Sequence, residues 1–308
     1  MNIFNKIFFK IKSIRSLRDI SSMGQTFIFS HILRKKIEWN IGYTRTNWKN
    51  NFNKDKITKI TNPKNRWFAD PFVIKKGKFN FIFFEDYSLI NNKGSISCIR
   101  IDKKNKIKHF KGVLEENFHL SFPFIFKYNK EFYMIPETKA INEIRIYKCE
   151  SFPLKWKYYY TIKKNISAVD SMIFEHNDIW WLFTNYSHTK NGSESELNIF
   201  FSCDGPFTNN WQSHKLNPLI TDSFSARNAG LIIENNQIYR CAHEINSFDK
   251  GKRTKIFKIH SLSKDEFIEE QLLIIDPSEF NGAFSTHHIY STNDFTVLDI
   301  CRKKIKIF

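Results

Sequence analysis

The chain has 308 residues, a mass of 36.8 kDa and a formal net charge of +17, and 41% of its residues are hydrophobic and 16% aromatic. This much apolar bulk excludes a disordered or collagen-like chain, and the length fits one large β domain or two smaller domains. The positive charge suits a polyanionic partner, but only 11 of the 48 cationic residues are arginine, on which nucleic-acid recognition depends most, so no nucleic acid is expected as a partner.

The N-terminal residues predict the only helix of the chain. From residue 1 to about residue 24, apolar side chains such as Ile3, Ile7 and Ile11 fall on one face, and the lysines lie mostly off it. A basic amphipathic helix can lie in a membrane interface, pack on the rest of the chain or cap another subunit. We expect a helical extension over residues 1–37, with peripheral membrane contact through residues 1–24, and a folded domain over residues 38–308.

No stretch approaches the roughly 20 apolar residues of a membrane span, and basic residues between Lys10 and Arg18 interrupt the apolar run that a secretory signal needs. The five cysteines lie far apart in apolar or strand-like stretches and form no CxxC pair. They predict buried free thiols in a reducing compartment: Cys98, Cys149, Cys203, Cys241 and Cys301. The expected location is the cytoplasm, including the inner face of the cytoplasmic membrane.

Residues 35–60 look like a strand and linker that lead into the first repeat. After them, one pattern occurs five times: an apolar strand, a tight polar turn and a second apolar strand. The hairpins are residues 72–84 across KKGK, 124–135 across YNKE, 172–183 across EHND, 231–242 across ENNQ and 289–300 across STND. Each turn carries a residue that tolerates positive φ, namely Gly77, Asn129, Asn177, Asn235 or Asn293. These markers lie 52, 48, 58 and 58 residues apart.

Strand-like stretches between the hairpins, at residues 95–101, 144–149, 197–202 and 255–261, add outer strands to each repeat. Four strands in a unit of this length, repeated five times, predict an all-β fold, a five-bladed β-propeller. A β-sandwich lacks a constant hairpin period, and an α/β fold needs helical patterns between its strands.

In a propeller, the start of the innermost strand and the end of the next strand meet at one mouth of the channel. The sequence places Asp70 and Glu85, Phe122 and Glu137, Asp170 and Asn185, and Ala229 and Glu244 at a constant offset of 15 residues, and His287 and Asp299 12 apart. The mouth therefore collects Asp70, Glu85, Asp86, Glu137, Asp170, Asn185, Arg227, His243, Glu244, His287, His288 and Asp299. Unpaired buried carboxylates are costly, so the set indicates a site, although single members can simply satisfy backbone groups or pair with Arg66 and Arg227.

Clustered carboxylates suit glycosyl transfer, in which one carboxylate attacks or activates the acceptor and a second, held protonated, gives a proton to the leaving oxygen. Asp70 is the predicted base or nucleophile, and Asp170 is its equivalent in the third repeat. Glu137 and Glu244 are the candidate acids, and the sequence does not choose between them. Aromatic walls are expected from Trp67, Phe68, Trp180, Trp181 and Tyr186. The predicted substrate-binding residues are Trp67, Glu85, Asp86, Asn185, Arg227, His243, His287 and His288.

Between residues 38 and about 300, the motifs WFADPFVI, FFEDY, HLSFPFIF, YMIPET, FPLKW, VDSMIF with IWWLF, and SARNAG follow one another. In this order they resemble the domain at the N-terminal side of plant glucosamine inositolphosphorylceramide transferases, which also occurs in bacterial proteins of surface-polysaccharide gene clusters. More distantly, the layout looks like the five-bladed propellers of glycoside hydrolase families 43, 32 and 130.

The resemblance implies a carbohydrate-active propeller with Asp70 and Asp170 at the positions of the base and the acid-tuning carboxylate. It also implies that His287 or His288 is similar to a last-blade histidine that faces a central metal ion in some of these propellers. The fourth repeat departs from the pattern, because it reads YRCAHE where an Arg followed by Pro and Gln is expected.

The functional expectation is a glycosyltransferase that builds a bacterial surface polysaccharide or glycolipid from a nucleotide-sugar or lipid-linked substrate. A glycoside hydrolase of the five-bladed type and a non-catalytic glycan-binding propeller are the alternatives. No cofactor is assigned; a nucleotide-sugar donor and a divalent metal in the channel are both compatible with the resemblance.

Overall fold

The computed structural model of the chain describes residues 35–49, 57–187, 196–244 and 252–305. Within these residues the chain forms β-strands in five sheets, and its longest helical elements are 3₁₀ turns of three residues. The strands open with β1 (Lys35–Thr44) and β2 (Thr58–Lys59).

Four sheets of four strands follow, and in each the strands are antiparallel and adjacent in chain order. The first blade is β3 (Arg66–Lys76), β4 (Phe79–Ser88), β5 (Lys93–Ile101) and β6 (Ile107–Leu114). The second is β7 (Ser121–Tyr128), β8 (Glu131–Glu137), β9 (Glu143–Ser151) and β10 (Lys155–Lys164). The third is β11 (Val169–His176), β12 (Ile179–Asn185), β13 (Leu197–Ser202) and β14 (Gln212–Ser213). The fourth is β15 (Arg227–Glu234), β16 (Gln237–His243), β17 (Thr254–Leu262) and β18 (Phe267–Ile275).

The fifth blade joins the two ends of the described chain. It contains β19 (Ala283–Ser285), β20 (Ile289–Thr292) and β21 (Phe295–Ile305), and β1 and β2 continue the same sheet beyond β21. Residues 35–44 are therefore part of the last blade, and the expectation of a lead-in to the first repeat was wrong. β1 and β21 are far apart in sequence, so no local sequence pattern predicts that they pair.

The innermost strands contact one another in cyclic order: β3 with β7, β7 with β11, β11 with β15, β15 with β20, and β20 with β3. This closed ring confirms the predicted five-bladed β-propeller. Four of the five predicted turn markers, Gly77, Asn129, Asn177 and Asn235, have positive φ, as tight hairpin turns require.

The apolar residues of the repeats pack between neighbouring blades. One cluster, with Phe83 and Met134, joins blades 1 and 2, and a second, with Ile41 and Val73, joins blades 5 and 1. A third cluster joins blades 4 and 5, and the largest one spans blades 2, 3 and 4 and includes Phe72 of blade 1. Because both faces of each blade are covered in this way, the inner strands read as nearly continuous apolar runs rather than as alternating patterns.

The cysteines are free thiols, as expected. Four are buried, and burial raises the pKa of Cys98 and Cys241 well above the ordinary value and that of Cys149 to about 11. The fifth, Cys203, is exposed, so the prediction of five buried thiols was wrong at this position.

Residues Trp39–Cys301 form one compact unit, which contains the propeller core. A second unit comprises Met1–Glu38 and Arg302–Phe308, of which the ends of β1 and β21 are described. The predicted helix of residues 1–24 lies outside the described residues, so it and the boundary at residue 37 stay predictions. No helix among the described residues is long and apolar enough to span a membrane.

Candidate active site

A β-bulge occurs at the same place in the innermost strand of four blades. The register shifts between Ala69 and Phe72, Ser121 and Phe124, Val169 and Met172, and Asn228 and Leu231. In the first three bulges, Asp70, Phe122 and Asp170 adopt φ of 51°, 47° and 50°. A non-glycine residue in this region costs about 1–3 kcal/mol, and such strain concentrates at functional sites. The bulges turn these three side chains out of the regular pleat, at one end of the ring.

The residues opposite the bulges come from the ends of the second strands. Their pairs are Ala69 with Glu85, Ser121 with Glu137, Val169 with Asn185, and Asn228 with Ala242. The hairpin of β15 and β16 is two residues shorter than the other three, so the constant offset fails in blade 4. The position equivalent to Glu137 is Ala242, and Glu244 lies two residues beyond it.

Glu244 is held by cations. Its carboxylate accepts hydrogen bonds from Arg253 Nη2 at 2.6 Å and Arg253 Nε at 3.0 Å, and Lys255 Nζ lies 3.3 Å away. Despite burial, these bonds and charges lower the pKa of Glu244 below its ordinary value. A carboxylate held ionised in this way is poorly suited to give up a proton, so the contacts do not favour Glu244 as the acid.

Asp70 lies at the centre of the cluster. Its Oδ2 accepts a hydrogen bond from the backbone N–H of Phe122 at 3.2 Å, and its Oδ1 is 3.5 Å from His287 Nε2. Burial raises the pKa of Asp70 to about 7; the cationic form of His287 opposes the rise, and the negative charges of Asp299 and Asp170 add to it. The group therefore titrates close to neutral pH.

Glu137 differs from Asp70 in its hydrogen bonding. Among the residues that the structure describes, none donates a hydrogen bond to its side chain. Burial, and then the negative charge of Asp170, raise the pKa of Glu137 to about 8, and Arg227 opposes the rise. Glu137 is therefore protonated at neutral pH.

Asp170 and Glu85 complete the acidic group. Asp170 Oδ2 lies 2.5 Å from Arg227 Nε, and its backbone oxygen accepts a bond from Asn228 Nδ2 at 3.0 Å. Burial and the charges of Asp70 and Glu137 raise the pKa of Glu85 well above its ordinary value. The predicted carboxylates of blades 1, 2 and 3 are thus brought together and coupled to one another.

Other predicted residues hold blades together. Asp299 accepts the backbone N–H groups of His287 and His288, both at 3.0 Å, and that of Asp70 at 3.1 Å. Asn185 Oδ1 accepts the N–H of Asn228 at 2.8 Å. Asp86 is paired with Arg66 and accepts a bond from Ser97, within its own blade. These bonds give Asp299, Asn185 and Asp86 a structural role, and contact of Asn185 and Asp86 with a substrate stays a prediction.

The predicted histidines differ in charge and surroundings. The pKa of His287 is raised, because Asp299 at 2.5 Å and Asp70 outweigh burial. His243 lies beside it, with ring centroids 5.5 Å apart, and burial together with the cations Lys252 and Arg227 holds its pKa well below the ordinary value. His288 is fully buried against Phe72 and Phe122, and burial lowers its pKa to about 3.

Asp70, His287 and Asp299 place one ligand atom each within 4.8 Å of one another, which raises the question of a metal ion. The Asp299 oxygens already accept three backbone N–H groups and contact His287. In this geometry only the facing atoms of Asp70 and His287 are left for a cation, so the three residues do not fit a three-ligand centre.

The aromatic walls differ from the prediction. Phe68, Trp180 and Trp181 are buried in the apolar clusters, so these three were wrong as sugar-stacking surfaces. Tyr186 is partly buried against Phe200. Trp67 is partly buried and stacks on Tyr87 with ring centroids 5.4 Å apart.

Two residues at the site were missed. Trp39 of β1 stacks on His287 with ring centroids 4.1 Å apart. The ammonium of Lys252 interacts electrostatically with Arg227, Asp170, Asp299 and Asp70, and burial and Arg227 lower its pKa. Neither has a sequence signal, because each lies outside the hairpins that carry the repeat.

Comparison with known proteins identifies the family. Residues 52–289 match the family model described as "Glucosamine inositolphosphorylceramide transferase 1, N-terminal". The chain belongs to this family. Glucosamine inositolphosphorylceramide transferase 1 of Arabidopsis thaliana is 36% identical over 214 residues, and that of Oryza sativa subsp. japonica is 36% identical over 212 residues. The matches cover 67% and 65% of this chain but 27% of each plant protein, so the chain spans about a quarter of the relatives' length.

This glucosamine inositolphosphorylceramide transferase N-terminal family shares its fold with propeller glycoside hydrolases. The GH62 α-L-arabinofuranosidase catalytic domain of Coprinopsis cinerea superposes with a TM-score of 0.57 at 10% identity, covering 86% of this chain and 97% of that chain. A thermostable family-43 glycoside hydrolase gives a TM-score of 0.55 at 13% identity, covering 80% and 93%. At such low identity the likeness establishes the fold alone.

Proposed function

We propose that this chain is a glycosyltransferase of bacterial surface polysaccharide or glycolipid synthesis and that the reaction takes place at the mouth lined by Asp70, Glu137 and Asp170. Membership of a family named for a sugar transferase supports the general class. The plant relatives are much longer than the matched region, so the activity of the whole protein is part of the proposal.

The observation that carries the proposal is the state of Glu137. Its carboxyl group has no donor among the described residues, and burial and Asp170 raise its pKa to about 8. A carboxylic acid kept protonated at neutral pH is what glycosyl transfer needs to give a proton to the leaving oxygen. Asp170, held beside Arg227, acts as the carboxylate that tunes this acid.

Asp70 is the partner of this acid. A backbone N–H and the neighbouring His287 support its ionised form. In a single displacement, Asp70 takes the proton of the acceptor hydroxyl as the acceptor oxygen bonds to the anomeric carbon, while the bond to the leaving oxygen breaks and that oxygen receives the proton of Glu137. In a double displacement, Asp70 bonds to the anomeric carbon as the leaving group departs with the proton of Glu137; the acceptor hydroxyl then displaces Asp70 and gives its proton to the Glu137 carboxylate. Both routes balance protons without a metal or a cofactor.

The cations at the same mouth support a phosphate-bearing donor. Arg227 and Lys252 lie close together: burial and Arg227 lower the pKa of Lys252, and both cations lower the pKa of His243. Both come from the fourth blade or the segment between its strands. Paired cations attract the phosphate of a nucleotide sugar or lipid-linked sugar, and the partly buried rings of Trp39 and Trp67 suit stacking on a sugar.

The test is transfer by the purified protein from nucleotide sugars to synthetic acceptors. We expect Glu137→Gln and Asp70→Asn to lower the transfer rate by at least about 100-fold, the usual contribution of a positioned acid or base. The matched variant Glu244→Gln should retain most of the rate. Equal loss in Glu137→Gln and Glu244→Gln would contradict the assignment of the acid.

The fold leaves the hydrolase alternative in place. Release of free sugar without any transfer to the acceptor would favour it. A non-catalytic glycan-binding propeller is favoured by the hydrogen bonds that hold the Asp70 and Asp170 carboxylates against neighbouring blades. In that case, cells carrying Asp70→Asn and Asp170→Asn would assemble glycan normally.

A cytoplasmic location, with peripheral contact with the membrane through residues 1–24, remains part of the proposal. Its direct test is fractionation of cells that express the full chain.

A further inference from the structure

The end of the propeller opposite the candidate site is built from hairpin turns of very uneven charge. In blades 1 and 2 the turns at residues 75–79, 101–107, 127–131 and 150–157 contain ten lysines and three acidic residues. In blades 3 and 4 the equivalent turns at residues 175–179, 202–212, 234–237 and 262–267 contain one lysine and six acidic residues. A general excess of lysine in the chain would spread evenly over the blades, so it does not explain this contrast.

The ten lysines are exposed and mostly unpaired. Lys75 is paired with Asp294 and Lys155 with Glu150, and the other eight have no ion pair with a described residue. These eight are Lys76, Lys78, Lys103, Lys104, Lys106, Lys127, Lys130 and Lys157. The turns of blades 1 and 2 therefore form one basic patch, and the turns of blades 3 and 4 form an acidic one beside it.

Aromatic rings make the basic patch continuous across the two blades. Lys76 Nζ lies 4.5 Å from the ring centre of Phe152, and Lys127 Nζ lies 4.9 Å from that of Phe132. The two rings contact each other at a centroid distance of 4.8 Å. The lysine stems thus cover apolar surface while their ammonium groups remain in solvent.

An apolar side chain projects from the same patch. Leu154, in the turn between β9 and β10, is 51% exposed and is followed at once by Lys155. A leucine surrounded by lysines is the arrangement with which peripheral proteins meet an anionic bilayer: the charges draw the protein to the surface and the apolar group enters the headgroup layer.

We infer that the basic patch of blades 1 and 2 docks on an anionic lipid bilayer. The four turns contain no arginine; of the two arginines beside them, Arg45 already donates to Asn105 and Asp102, and Arg100 lies over the ring of Phe79. The rings of Phe132 and Phe152 lie under lysine stems, so the patch favours a lipid surface over the bidentate phosphate contacts and base stacking of a nucleic acid. The acidic patch of blades 3 and 4 is repelled by the same surface, so the protein docks by one edge. The candidate site, at the other ends of the strands, then faces the aqueous phase.

The experiment is flotation of the full chain with vesicles of phosphatidylcholine, with and without phosphatidylglycerol, at increasing salt. We expect binding only with phosphatidylglycerol, weakened by salt. The triple variant Lys78→Glu, Lys104→Glu and Lys130→Glu should lose at least about tenfold in affinity, because each lysine near such a surface contributes separately. The matched triple variant Lys64→Glu, Lys111→Glu and Lys164→Glu has the same net charge, changes exposed lysines away from these turns, and should keep most of the binding.

A second variant tests the apolar contact: Leu154→Asp should weaken vesicle binding while its thermal unfolding stays near that of the wild type. Equal loss in the two triple variants would overturn the inference, because net charge alone would then explain binding. Undiminished binding of the first triple variant would also overturn it and assign the contact to another segment, such as residues 1–24. Tighter binding of duplex DNA or RNA than of anionic vesicles would overturn the choice of partner.

Discussion

Three residues at the mouth, Asp70, Phe122 and Asp170, share a backbone conformation that non-glycine residues seldom adopt. The repeat puts a carboxylate at this position in blades 1 and 3 and an aromatic ring in blade 2. Because the same bulge presents different side chains, the backbone supplies the geometry and the sequence supplies the chemistry. The backbone N–H of Phe122 is an example, because it donates a hydrogen bond to the carboxylate of Asp70 in blade 1.

At this scale the pKa of Glu137 predicts a dependence of stability on pH. The folded protein keeps the proton of Glu137 up to about pH 8, whereas the unfolded chain loses it near the ordinary value of 4.5. Between these values the unfolded state binds fewer protons, so this group makes the protein less stable as pH rises. Glu137→Gln removes the effect. The free energy of unfolding of the variant minus that of the wild type should therefore increase by about 1–3 kcal/mol between about pH 5 and about pH 8.

Denaturant unfolding of both proteins at the two pH values measures this difference, and the comparison cancels the opposing contributions of buried histidines such as His243 and His288. Glu244→Gln is the control. Because Arg253 and Lys255 hold the pKa of Glu244 below its ordinary value, removing this carboxylate should not raise the free energy of unfolding relative to the wild type between these pH values. Parallel pH profiles for wild type and Glu137→Gln would contradict the raised pKa.

Among the elements, the bulge of β15 is distinctive because its residue with positive φ is a glycine. Gly230 has φ of 121°, and a Cβ added there would lie 2.2 Å from the backbone oxygen of Ile289 in the next blade. Gly230→Ala should therefore lower the free energy of unfolding by about 3 kcal/mol or more, through both strain and a clash with backbone that cannot move aside.

Gly77→Ala is the matched variant for Gly230→Ala. Gly77 also has positive φ, 60°, but nothing lies within 4 Å of the added Cβ. Its cost should be about 1 kcal/mol, the conformational part alone. Urea unfolding of both variants separates the two effects, and equal losses would show that blades 4 and 5 are not packed closely at this point.

The same elements show what a sequence can and cannot specify. Hairpin periodicity was sufficient to predict five blades. The spacing within blades 1 to 3 predicted a group of Asp70, Glu137 and Asp170, which interact electrostatically in the structure, and their roles stay predictions. It misplaced Glu244, because the hairpin of β15 and β16 is two residues shorter and only strand pairing reveals the change in register. Trp39 and Lys252 could not be found, since they reach the site from segments outside the hairpins.

For the whole molecule, closure of the ring depends on β1. Ile41 of this strand is fully buried in the cluster between blades 5 and 1. Ile41→Ala should cost about 2–5 kcal/mol, as a large-to-small change in a core does, although the residue lies far in sequence from β19, β20 and β21 of its sheet. Ile37→Ala on the same strand, at a side chain that is 36% exposed, should cost less than about 1 kcal/mol.

Thermal and denaturant unfolding of these two variants test the closure. A single cooperative transition shifted downward in Ile41→Ala is expected, because each blade packs on two neighbours. If Ile41→Ala and Ile37→Ala were equally mild, β1 would be an appendage of the ring rather than a part of it. Residues 35–44 would then be a lead-in to the first repeat, as the sequence alone predicts.

The exposed thiol of Cys203 offers a practical handle on the native protein. It sits in the long turn of blade 3, within the acidic patch, while the other four thiols are buried. A maleimide fluorophore can therefore be attached at one known point without any substitution. If blades 1 and 2 dock on lipid as inferred, the dye lies on the side of the ring that is farther from the bilayer. Energy transfer from this dye to acceptor dyes in the bilayer then measures the orientation of the docked molecule.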